Sequence, residues 1–165
     1  MSTILQKLYM AMIEFYDGDP KRIQHFVKVH SFAKLICNLE NVDEKTTFIT
    51  EVAALVHDIG IRVSERKFGK SNGKLQEQEG PLVAKQMLES LGFQPEVIDR
   101  VCFLVGHHHT YSSIDNIDYQ ILVEADFLVN FYEDEIPVSG IKTAISKIFK
   151  NQSAIKIANT MFKLD

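Results

Sequence analysis

Apolar residues recur at three- and four-residue spacing along almost the whole chain, the period of helices that each bury one stripe. Ile4, Leu8, Met12 and Phe15 open the series. Asp19-Pro20, a cap residue followed by proline at the first helical position, starts a second helix that carries Ile23, Val27, Phe32 and Leu35 towards Leu39. A third follows Asp43-Glu44, runs through Phe48, Val52 and Leu55, and is expected to stop at Gly60, the residue type that commonly lies just past a helix. Residues 62–76, RVSERKFGKSNGKLQ, are the one long polar stretch and read as a loop, either a lid over a site or a plain connection. Further helices are expected from Gly80-Pro81 to Gly92, from Pro95 through Val97, Val101 and Leu104 to His108, over residues 117–132, and around Ile141–Phe149 and Ala154–Phe162. No alternating strand pattern, internal repeat or low-complexity tract interrupts this. The expectation is an all-α, single-domain helical bundle over residues 1–165, with its chemistry in a core of residues 19–132 and C-terminal helices over 137–164.

Composition narrows the function classes. With 45% apolar and 24% charged residues, the 165-residue chain has the make-up of an ordinary globular domain. A net charge of -4 without a basic arm gives no footprint for a nucleic-acid polymer. The N-terminal segment lacks the organisation of a signal peptide, and no apolar run reaches the roughly 20 residues that span a bilayer. Cys37 and Cys102 lie in apolar helical patterns, as small buried thiols do, so a reducing cytoplasm is the expected setting. The apolar stripes of the first helix and the last two leave a homodimer open.

Chemistry enters at residues 53–60, AALVHDIG, where His57 and Asp58 interrupt a run that otherwise belongs in a core. A buried, unpaired carboxylate costs several kcal/mol or more, so it is normally paired, hydrogen-bonded or bound to a metal. Asp126, within ILVEADFLVN, has the same apolar surroundings. All six histidines fall in three clusters: His25 with His30, His57, and His107-His108-His109. Taken singly, each has an ordinary reading, such as a core histidine held by a carbonyl or an aspartate capping a helix. Two buried carboxylates and several imidazoles sharing one small core are satisfied together by a divalent cation.

The ordered set RIQHFVKVHSFA, AALVHDIG and VEADFLVN resembles the HD-domain superfamily of helical metal-dependent phosphohydrolases, over residues 22–130. Arg22, His25, Val29 and Ala33 match that family's R-x-x-H-x-x-x-V-x-x-x-A pattern. The resemblance implies metal ligation by His25, His57, Asp58 and Asp126, a set that leaves a coordination position for water. His30 lies about 140° further round the helix than His25 and is expected to be partly exposed or structural. Catalytic assistance is expected from Asp58 and from His107 or His108, with His109 marking a helix end. Substrate contacts are expected from Arg22, Arg62, Lys74, Glu77 and Asn130. Two departures stand out. Two-metal relatives carry a histidine where this chain has Gln76, which favours one ion over two and leaves Glu77 and Glu79 as alternative ligands or bases. The lysine common after the family's H-D-x-G is Ile61, so a phosphate-binding cation has to come from Arg62, Lys67, Lys70 or Lys74. The segment after His109, TYSSIDNIDY, lacks the signature of cyclic-di-GMP phosphodiesterases.

The resulting expectation is a hydrolase that uses metal-activated water on a small phosphate ester, a nucleotide or related phosphomonoester. Mn, Fe, Co, Ni and Zn all suit the donors. The alternatives are a non-catalytic metal- or nucleotide-binding regulatory module and a di-iron oxygenase of the same superfamily.

Overall fold

The computed structural model describes residues 2–164 and contains, among them, nine helices and no strand. They are α1 (Thr3–Phe15), α2 (Pro20–Leu39), α3 (Glu44–Val56), α4 (Ile61–Phe68), α5 (Gly73–Ser90), α6 (Pro95–Val105), α7 (Ile117–Glu133), α8 (Val138–Ile148) and α9 (Gln152–Phe162). Side-chain caps fix several starts: Asp19 accepts from the Arg22 N–H, Asp43 from Thr46 and Asn72 from Leu75. Each satisfies one amide that the first helical turn leaves without a partner.

The bundle is organised around α2, α3 and α7. Helix α2 packs on α3 and α7, α3 also meets α6 and α7, and α5 lies against α6. Leu8, Phe26, Val29, Ile36, Leu55, Val101, Leu104, Ile121, Leu122 and Leu128 fill one core between them. Helix α1 closes the α3 side, while α9 packs on α2 and α7. Buried Glu124 of α7 fixes the entry to α9, its Oε1 accepting from the amides of Lys150 and Asn151 at 2.6 and 3.1 Å.

Residues 62–76 are not a long loop. The chain forms α4 at once and returns in α5 after a four-residue link, 69–72. Its polar residues are partly tied to neighbouring elements: buried Ser64 donates to the Gly60 carbonyl at 2.8 Å, and exposed Glu65 receives Arg22 of α2 at 2.6 Å. Gly69, at φ +69°, closes α4 in the left-handed region that favours glycine. Helix α5 begins seven residues before Gly80, so Pro81 lies inside a helix instead of opening one.

Gly60 also differs from its expected role. Its φ is -71°, which any residue adopts. Space is what requires glycine there. A Cβ at Gly60 would stand 2.7 Å from the Gly80 nitrogen and 2.8 Å from the Gln76 carbonyl oxygen. The turn after α3 therefore lies directly on the backbone of α5.

Candidate metal centre

Helix α3 ends at Val56, and residues 57–60 form a tight turn held by Ile59 N–H to Val56 O and Ile61 N–H to Asp58 O. Tyr16, at the end of α1, donates its hydroxyl to the Asp58 carbonyl at 3.0 Å. Departure from regular helix lets His57 and Asp58, adjacent in sequence, aim at the same point.

That point is shared with α2 and α7. His25 Nε2 lies 3.1 Å from His57 Nε2, 3.2 Å from Asp126 Oδ1 and 3.6 Å from Asp58 Oδ2. His57 Nε2 lies 3.5 Å from Asp126 Oδ1 and 3.7 Å from Asp58 Oδ2. All four residues are buried. Asn130, one turn beyond Asp126, donates to its Oδ1 at 2.9 Å.

The opposite ring nitrogens decide the protonation pattern. His57 Nδ1 faces the Ala54 carbonyl oxygen at 2.9 Å, and His25 Nδ1 faces Glu133 Oε2 at 2.9 Å. Carbonyl and carboxylate oxygens accept, so in the neutral tautomers both Nδ1 atoms carry the proton and both Nε2 atoms present lone pairs. Two bare nitrogens, each within 3.7 Å of the other and of both carboxylate oxygens, are repelled unless a cation or an added proton lies among them. Imidazole nitrogens with carboxylate oxygens are the donor set of a first-row divalent ion, so the residues fit the metal that the sequence implies. Without an ion, a proton fills the role. Burial pulls the His25 pKa down, but hydrogen bonding and charge from Asp126, with the charge of Asp58, outweigh it and raise the pKa to about 9. Burial raises the Asp58 carboxyl, yet His57, His108 and His109 reverse this and hold it well below the usual carboxylate range.

A second trio shares Asp58. His108 Nε2 lies 3.0 Å from Asp58 Oδ1 and His109 Nε2 lies 3.7 Å from it, so that Asp58, His108 and His109 form another group able to hold an ion. His108 Nδ1 donates to the Val105 carbonyl at 2.9 Å, which again leaves Nε2 bare. Gln76 occupies the remaining side, with Oε1 2.5 Å from His109 Nε2. The turn that presents these rings is pinned by Tyr119, whose hydroxyl reaches the carbonyls of His107 and Thr110.

A hollow of about 130 Å³ opens over His25 and Asp58, with Lys21, Arg22, Phe26, Ile61, Asn130 and Glu133 around it. A larger hollow of about 550 Å³ between the end of α2 and α9 contains no histidine and lies apart from this chemistry.

Other expected site residues are placed variously. Arg22 edges the hollow while bonded to Asp19 and Glu65. Arg62 instead donates to the carbonyls of Phe15 and Asp17, tying the end of α1 to α4. Lys74 is exposed, and Lys67 pairs with Glu79. Glu77 accepts from the His109 amide and the Thr110 hydroxyl, at 2.9 and 3.0 Å, and so braces the turn. His107 is exposed, its ring stacked on Phe103 at 4.2 Å, and does not face the centre; His109, expected only to end a helix, does. His30 is buried, not partly exposed, and is bonded to Tyr9 and Glu51, in keeping with a structural position. Sequence reasoning passed over Glu133, though it lies two turns from Asp126 on the same face of α7, a spacing that helical periodicity offers.

Comparison with known proteins agrees with this geometry. The family model described as "HD domain" matches residues 22–145. Among solved structures, a predicted HD superfamily hydrolase from an uncultured Thermotogales bacterium superposes with a TM-score of 0.67 at 26% identity, covering 96% of this chain and 85% of that one. No functionally curated protein matches the chain.

Proposed function

Because the chain belongs to the HD-domain family, we propose that it is a metal-dependent phosphohydrolase acting on a small phosphate ester, a nucleotide or related phosphomonoester. The observation that carries this is the meeting of His25, His57, Asp58 and Asp126 from α2, the α3–α4 turn and α7, with their nitrogen lone pairs turned inward. These four would hold the cation. Such an ion supplies a water of lowered pKa and polarises a phosphoryl oxygen. His108, fixed by Val105 with its Nε2 3.0 Å from Asp58 Oδ1, is placed to hold or pass a proton. Arg22 and Lys21 at the hollow place positive charge where a phosphate would enter, and Asn130 orients Asp126. Phosphoryl transfer depends chiefly on such positioning and charge stabilisation. Residues 1–165 act in this reading as one HD unit in the cytoplasm; no helix among the described residues is long and apolar enough to cross a membrane.

A second ion is favoured by one observation, the bare Nε2 of His108 facing Asp58 Oδ1 at 3.0 Å. Against it, the histidine expected in two-metal relatives is Gln76, an amide and a weaker ligand. One ion per chain remains the reading adopted.

A panel of phosphomonoesters and nucleotides, assayed with manganese, cobalt or nickel, tests the proposal. Turnover that Asp58→Ala abolishes supports it. Tight nucleotide binding without turnover would point to a regulatory module, and a mixed-valent iron pair to oxygen chemistry.

A further inference from the structure

Glu133 ends α7, at the edge of the hollow, with its carboxylate bonded on both sides to α2. Oε2 accepts from His25 Nδ1–H at 2.9 Å, and Oε1 receives Lys28 Nζ at 2.6 Å. His25 and Lys28 are one helical turn apart, so one carboxylate clamps two successive positions on the same face of α2. Two turns back along α7, Asp126 faces the other nitrogen of the same His25 ring at 3.2 Å. The ring is thereby flanked at both ends by carboxylates of α7.

This arrangement differs from that of the neighbouring imidazoles. His57 and His108 direct their Nδ1 protons to backbone carbonyls of their own turns, Ala54 and Val105. Only His25, of these three, has a charged acceptor, and that acceptor comes from a different helix. An anionic partner at Nδ1 makes the opposite nitrogen more basic, and a partner on another element fixes the ring's orientation relative to that element.

We propose that Glu133, braced by Lys28, is a positioning residue that sets the orientation and donor strength of His25 and the register of α7 against α2 at the metal centre. This rests on the metal-binding reading above. It assigns to the last turn of α7 a role that none of the motif residues carries.

The test is metal affinity, measured by competition against a chromophoric chelator with zinc or manganese on the metal-free chain. Wild type, Glu133→Gln, Glu133→Ala and Glu40→Ala are compared, with circular dichroism reporting the fold of each. Glu40→Ala is the control, because Glu40 also accepts two hydrogen bonds, from Ser153, far from the metal centre. Loss of a bonded partner outside the ligand set typically costs about 10- to 100-fold in metal affinity, and that loss is expected for Glu133→Ala. Glu133→Gln, which retains an acceptor for His25 but not the charge, should fall between Glu133→Ala and wild type; Glu40→Ala should match wild type. Were Glu133→Ala to misfold, the near-isosteric Glu133→Gln alone decides, by a weakened affinity in a helical protein. A wild-type chain that takes up no metal contradicts the metal reading itself. Metal uptake by wild type with unchanged affinity in both Glu133 variants contradicts this proposal alone. Affinity lost equally in Glu40→Ala would assign the effect to general destabilisation and also overturn it.

Discussion

A carbonyl oxygen can only accept a hydrogen bond, and that rule puts the proton of the neutral His57 and His108 rings on Nδ1 and leaves a lone pair on each Nε2. For His108 the proposed function makes the consequence catalytic: replacing it with alanine should lower kcat by about 10²- to 10⁴-fold, the usual contribution of a positioned acid or base, with little change in helical content. His30 shows the opposite use of a buried imidazole. Tyr9 donates to its Nδ1 at 2.6 Å, and its Nε2–H donates to Glu51 at 3.0 Å, an arrangement that suits the neutral ring. Burial lowers its pKa despite the opposing charge of Glu51. The unfolded chain therefore takes up a proton near pH 6.5 that the folded chain refuses, so this contribution to stability is present above that pH and lost as pH falls below it. Urea midpoints between pH 7 and 5 should drop more steeply for wild type than for His30→Gln. Residues of this kind differed in how readable they were. His25 was separable from His30 because Arg22, Val29 and Ala33 mark its face of α2. The order within His107-His108-His109 was not, because α6 stops at Val105 and the following turn brings His109 inward while His107 faces out.

At the scale of elements, the metal centre depends on how closely the turn after α3 approaches α5. Gly60 lies against Gly80, and a Cβ on Gly80 would stand 2.6 Å from Val105 Cγ1 of α6. Three elements thus meet with no room for a methyl group, and two of them carry or adjoin Asp58 and Gln76. Overpacking of this kind costs about 1–3 kcal/mol, so Gly60→Ala should lower the denaturant midpoint accordingly. Its metal affinity should fall as well, since the displaced backbone is that of the His-Asp turn. Helix α7, with Asp126 in a long apolar run, was plain in the sequence. Helix α4 was not: only Ser64 of its eight residues is buried, so no apolar stripe announces it. It is tied to α2 through Arg22 and Glu65 and to α5 through Lys67 and Glu79, pairs distant in sequence.

For the molecule as a whole, the ligands come from parts of the chain that a metal would bind together, so metal occupancy and stability should be linked. A ligand present at 100 times its dissociation constant stabilises the native state by about 2.7 kcal/mol. For a chain of this size, chelation should then lower Tm by roughly 5–10 °C. The all-α architecture and the four central residues follow from periodicity and motif. The sequence offered the positions of Glu133 and Gln76, but their pairing with His25, Lys28 and His109 arises from helices meeting in space, which no local pattern records. The most direct test of the central claim is the metal content of the purified chain and of Asp58→Ala, measured by elemental analysis beside circular dichroism. One divalent transition ion per wild-type chain, and none in an Asp58→Ala protein of unchanged helicity, is the predicted result. A metal-free wild type that takes up no ion when these metals are supplied, or equal metal in both proteins, would contradict it.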